Sequence, residues 1–182
     1  MAKTKESSKP QAKTPEKNSD TSIRIIFHGS CPKLTPRGKG ALEYEIGIND
    51  NTDESYLRIA GNASSGAFST KWIAIYEIHA LLENPKEDSF KAIILRELYA
   101  NKSSNNHGFL AAILKAEKVL DFLPDQTSAL CLKSWGSLNT KIDSLKKKDI
   151  SLPDNIAVAA KKRAEKKAQL LKERQNKKDN KE

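Results

Sequence analysis

The sequence predicts an α+β fold: an N-terminal antiparallel sheet of three or four strands, then three or four packed helices, then a basic C-terminal helix. Three observations carry this. Apolar and polar residues alternate between positions 23 and 60, the period of strands with one buried face. From position 75 apolar residues recur at three- and four-residue intervals, the period of helices. Beyond Asp154 the chain is mostly Ala, Lys, Arg, Gln, Leu and Glu, all strong helix formers.

Each element follows from local pattern. Residues 1–22 are rich in Lys, Ser, Thr, Pro and Gln; they cannot bury enough apolar area to offset the entropy of ordering, so they read as a disordered basic tail. Ile23, Ile25 and Phe27 alternate with Arg24, Ile26 and His28 as a first strand. A loop runs from Gly29-Ser30-Cys31-Pro32 through Pro36, Gly38 and Gly40. Leu42, Tyr44, Ile46 and Ile48 then alternate with Glu43, Glu45 and Gly47, a strand whose glutamates are expected to face water. Asn49-Asp50-Asn51-Thr52-Asp53 is a turn cluster. Leu57 and Ile59, alternating with Arg58, complete a hairpin with Tyr56 on its outer side, and Ala67 to Ser69 reads as a short edge strand.

Ile75, Ile78, Leu81 and Leu82 define a helix with Ser69 or Thr70 near its start, and Asn84-Pro85 stops it. Asp88 or Ser89 caps the next, with Phe90, Ile93, Ile94 and Leu98 as its apolar face. Ser104 caps a third, whose apolar side is Phe109, Leu110, Ile113, Leu114 and Leu120. Pro124-Asp125 ends that region. Ala129 to Leu132 is a short strand and Trp135 to Leu145 a short helix. Lys146-Lys147-Lys148 opens a linker. Ser151 then stands as a cap, with Pro153 in the first turn and Asp154 where it meets the helix dipole. These boundaries give one globular domain over 23–150 and an exposed basic helix over 151–182.

The charge is unevenly placed. The 182-residue chain carries +9, and residues 155–182 hold ten basic against four acidic residues, or +6. Residues 1–22 hold +2, which leaves +1 for residues 23–154. A nearly neutral body flanked by basic ends points to a polyanion, most simply nucleic acid, with DNA preferred to RNA.

Other classes find little support in the residues. No N-terminal apolar run and no stretch of about 20 apolar residues is present, so a cytoplasmic protein with no membrane partner is expected. His28, His79 and His107 are far apart, and no His-x-x-x-His, Cys-x-x-Cys or Walker-type run occurs. His28 and Cys31 are the one Cys/His neighbour pair. No enzyme activity, cofactor or metal is expected.

Two leads carry the expected function. Helix, helix, helix, strand over residues 73–134 resembles, in outline, a winged helix-turn-helix. That resemblance implies that residues 104–118 form a recognition helix: Asn105, Asn106 and His107 would approach base edges, while Lys102 and Lys115 would meet phosphate. A plain helical layer packed on the sheet is the other reading of the same residues. The second lead is the C-terminal helix, where Lys161, Lys162, Arg163, Lys166 and Lys167 would grip phosphate without sequence preference. A non-catalytic nucleic-acid-binding protein with an accessory or regulatory role is therefore expected. The alternative is a protein-interaction adaptor with an exposed apolar patch around Phe68, Trp72 or Trp135.

Overall fold

The alternation between 42 and 59 builds the frame of the molecule. A computed structural model describes residues 23–35, 38–64, 66–83, 89–100, 104–124 and 126–179, with the side chains of the last helix described to Leu171. The expected disordered tail over 1–22, the Asn84-Pro85 stop and the Asp88 cap lie outside these residues.

Strands β1 (Ile23–Pro32), β2 (Ala41–Asn49), β3 (Glu54–Asn62) and β4 (Ile73–Ala74) form an antiparallel sheet in that order. Leu42, Tyr44, Ile46 and Ile48 of β2 are buried on one face with Leu57 and Ile59 of β3, as the alternation requires. In β1 the register slips between Ile25 and Phe27. The bulge at Ile26 lets two consecutive side chains, Ile25 and Ile26, both be buried. The edge strand is Ile73–Ala74 rather than Ala67 to Ser69; residues 66–72 form no strand.

The second face of the sheet corrects the expectation of a wet surface. Glu45 is only 1% exposed. Arg58 stands directly across from it on β3, and residues 150–155 pass over both. Leu152 N–H donates to Ile25 O at 2.8 Å, a single antiparallel bridge on the free edge of β1. Arg24 Nη1 donates to Ile150 O at 2.6 Å. Residues just beyond 150 are thus strapped to the sheet.

The helices cover the other face. α1 (Ile75–Leu82) leaves β4 directly, with Ala74 at its start and no side-chain cap, so neither Ser69 nor Thr70 has that role. The next segment is a 3-10 helix, Ala92–Tyr99, whose buried residues are Leu95 and Tyr99. Ile93, expected in the core, is 47% exposed. Phe90 is withheld from this helix because it exchanges both backbone hydrogen bonds with Leu130, at 2.9 and 2.8 Å. α2 (Asn106–Ala116) buries Leu110, Ala111, Ala112, Ile113 and Leu114 in succession against the 3-10 helix, β1 and β2. Leu120 opens strand β5 (Leu120–Leu123) instead of ending a helix; β5 pairs with β6 (Gln126–Leu132) as a hairpin. α3 (Gly136–Lys146) buries Leu138 and Ile142, and α4 (Asn155–Asp179) follows the strap.

The chain is therefore α+β with a four-stranded antiparallel sheet and helices after it. The β5–β6 hairpin stands where a wing would. The helix before it does not suit the recognition role, because such a helix must present an open face to a major groove about 12 Å wide. α2 is enclosed nearly all round, as a central core helix is. Among the described residues no helix is long and apolar enough to cross a membrane.

Candidate nucleic-acid interface

α4 begins at a true cap. Asp154 Oδ1 accepts hydrogen bonds from the N–H groups of Ile156 and Ala157, both at 2.9 Å, two of the four donors a helix start leaves open. Burial pushes the Asp154 carboxyl up, but the Ala157 N–H and the Arg58 guanidinium outweigh it and hold the group below its ordinary value. Ser151, the expected cap, lies ahead of the strap's contact with β1.

From this root α4 runs 25 residues, roughly 37 Å at about 1.5 Å per residue. Every side chain from Ala157 to Leu171 is exposed. Lys161, Lys162, Arg163, Lys166 and Lys167 fall within about two-thirds of its circumference at roughly 100° per residue. The structure thus places all five expected phosphate contacts in water on one rod. A rod of this length spans about eleven base pairs of duplex, taking ~3.4 Å per pair.

The root itself is a buried charge cluster. Arg58 Nε donates to Glu45 Oε2 at 2.6 Å, and its Nη2 lies 2.6 Å from the same oxygen and 2.7 Å from Asp154 Oδ1. The Trp72 ring covers the guanidinium at 4.3 Å. His28 Nε2 is 3.1 Å from Pro153 O and 3.4 Å from Glu45 Oε1, and Asn155 Nδ2 is 3.3 Å from His28 Nδ1. Two anions flank one cation here, which favours a fixed position for Asp154 and hence for the first turn of α4. The sequence held a signal for this pair: once the 42–59 hairpin is in register, Glu45 and Arg58 face each other as opposite charges.

The α2 residues are differently occupied. Lys102 lies outside the described residues. Asn105 Nδ2 donates to Ala67 O at 3.3 Å. Asn106 is 1% exposed, and its Oδ1 accepts the Ser69 N–H at 2.9 Å. Its role is to hold the 66–69 loop on the helix, which corrects its assignment as a base reader. His107 is half-buried; burial and the nearby Arg96 push its pKa down and favour the neutral ring. Lys115 donates to Asp121 and sits 5.0 Å from the Phe122 ring centroid. That ammonium in turn holds the Asp121 carboxyl below its ordinary value. The structure brings Asn105, Asn106 and His107 together at one end of α2, with Lys115 in its last turn, paired within the body. α4 departs from the opposite sheet face, so the two groups form no single surface on the sheet.

A further polar cluster lies in the core. Glu117 accepts from Tyr44 Oη and from Lys141 Nζ, the latter at 2.6 Å, and Lys141 lies 3.6 Å above the Phe27 ring centroid. Burial and that hydrogen bond push the Tyr44 pKa up. The Tyr44 ring crosses β1 at Gly29, where a Cβ would come within 2.2 Å of it. Burial, with Glu117 nearby, pushes the Cys31 thiol up to about 11. Cys31 lies opposite Leu42 on the core face, whereas His28 lies opposite Glu45 on the other, so these neighbours in sequence are not a dyad. Cys31 and Cys131 are both buried free thiols. Trp135, expected in an exposed apolar patch, is buried, with its ring 4.9 Å from His79; Phe68 and Trp72 are half-buried. Among the described residues no three His, Cys, Asp or Glu side chains converge as a metal site. Comparison of the chain with protein-family models, with curated proteins and with solved structures finds no match.

Proposed function

We propose that the chain is a non-catalytic, accessory nucleic-acid-binding protein of the cytoplasm that grips the phosphate backbone through α4. One observation carries the reading: five basic side chains between 161 and 167 stand exposed on a helix that water surrounds, while the folded body is almost neutral. Phosphate contact needs positive charge and reach, and α4 has both. The burial of α2 argues that sequence preference is slight. Duplex DNA is the first ligand to test, since a straight rod can follow one groove or bridge two strands.

The test is fluorescence anisotropy of the full chain with a labelled random DNA duplex across a salt series. A variant with Lys161, Lys162, Arg163, Lys166 and Lys167 all changed to Gln provides the comparison. Binding by the natural chain should weaken steeply with salt. The variant should lose at least about tenfold in affinity, and its log–log salt slope should fall by roughly 2–4, because each phosphate contact contributes about 0.9 to that slope. Equal affinity and slope in the two proteins would remove α4 from the interface.

A further inference from the structure

A groove of about 690 Å³ lies between β3, α1 and α3. Ile75 and Ile142 give it an apolar floor, and Glu54, Glu83 and Asp143 line it with carboxylates. One cation, Lys146, lies there too, but its ammonium is committed to Asp53, 2.8 Å from the backbone oxygen and 2.8 Å from Oδ1. Glu54 accepts from Tyr56 Oη at 2.7 Å, and His79 Nδ1 is 3.1 Å from Glu83 Oε2, so both carboxylates are held in place at the groove. Tyr76 is 58% exposed, more than any other large apolar side chain among the described residues. An open aromatic ring beside carboxylates, above an apolar floor, suits a Lys or Arg side chain: the stem lies on the floor while the charged head meets ring and carboxylate.

We propose that this groove receives α4 of a second copy of the chain. Charge complementarity selects the occupant, since α4 is the densest run of positive charge on the molecule and the groove is acidic. α4 is also without cover: Val158, Leu170 and Leu171 are exposed along with its lysines. Ala160 and Ala164 leave a thin side on which the helix can approach closely. Each copy presents helix and groove at different places, so the contact is head-to-tail rather than self-complementary, and it extends to chains of copies. It stands apart from nucleic-acid binding and is read without nucleic acid present. The same lysines serve both contacts, so a polyanion competes with the groove.

Sedimentation velocity of the full chain at low salt is the test. The contact is small and joins copies of like net charge, so it belongs with weak, transient encounters. The weight-average sedimentation coefficient should rise between about 10 µM and 1 mM, and the rise should vanish near 0.5 M salt. It should also vanish in the double variant Glu83→Lys/Asp143→Lys. A mixture of that variant with one carrying Lys161→Glu, Lys162→Glu, Lys166→Glu and Lys167→Glu should associate again, an outcome that no folding defect imitates. A coefficient independent of concentration in the natural chain would overturn the proposal. So would association that survives reversal of the groove charges.

Discussion

α2 and α4 are both built around alanine, yet one lies in the centre of the molecule and the other lies in water. In α2, Ala111 and Ala112 are buried between Leu110 and the Ile113-Leu114 pair. In α4, Ala157, Ala159, Ala160, Ala164 and Ala168 are all exposed among lysines. The alanines favour helix in both places and decide nothing more. The large residues between them decide the role: apolar ones draw a helix into the core on every side, charged ones keep it out. The two helices are therefore held by different forces. Burial against the 3-10 helix and the sheet stabilises α2, whereas propensity and the Asp154 cap stabilise α4. On the proposed function the same difference assigns the polyanion to α4, since of the two helices it is the one with an open, charged surface.

The hardest blow to this contrast is a charge placed in each helix. Leu110→Asp puts an unpaired carboxylate where the natural side chain is fully buried, and it should cost more than about 4 kcal/mol, enough to abolish cooperative unfolding. Ala164→Asp should move stability by no more than about 0.5 kcal/mol. Thermal unfolding followed by fluorescence of Trp72 and Trp135 reads both. Equal damage would mean that α4 packs against the body; equal tolerance would mean that α2 does not.

The next effect in size concerns the sheet beneath the root of α4. Glu45 looks like a solvated strand residue in sequence, so Glu45→Lys would be harmless on pattern alone. In the structure it is a buried counterion of Arg58, and reversing it leaves two cations facing each other. A loss of about 3–5 kcal/mol is expected, against no more than about 0.5 kcal/mol for Glu43→Lys at an exposed position of the same strand. Urea midpoints of the two variants measure the difference. Similar midpoints would show the outer face to be wet after all.

What the sequence discloses follows the same division. The β2–β3 hairpin is legible because strict alternation has one structural meaning, and the exposed lysines of α4 are legible because no large apolar residue stands between 159 and 169. The burial of α2 is legible on one side, through Leu110, Ile113 and Leu114, but its enclosure nearly all round is not, since an apolar pattern does not separate a helix packed on one face from one covered on several. The 3-10 segment misleads, because Leu95 and Tyr99 turn inward while Ile93, which the apolar pattern places in the core, stands outside. β5 is only four residues long, and Leu120 fits the end of a helical pattern as well as the start of a strand. Asn106 has the right chemistry for adenine and the right place on a helix. The Ser69 N–H that occupies it is 37 residues away in sequence, beyond any local pattern. The strap is hidden for a related reason: Leu152 meets Ile25 across most of the chain.

The smallest effect tests the joint between body and helix. Asp154→Ala removes the acceptor for two N–H groups of α4 and one partner of Arg58, so the first turns should fray at a cost of about 1 kcal/mol, read as lost ellipticity at 222 nm. Asp154→Asn keeps a capping oxygen and should retain most of that helix. The charge has its own signature. The folded Asp154 carboxyl lies below its unfolded value, so its contribution is fully present above the ordinary carboxylate range near pH 4 and is lost as pH falls through the depressed folded value. The ellipticity gap between the natural chain and Asp154→Ala should therefore stay constant from neutral pH down to about pH 4 and close below it. A gap that closed well above that range instead would take control of the joint away from the Asp154 carboxyl.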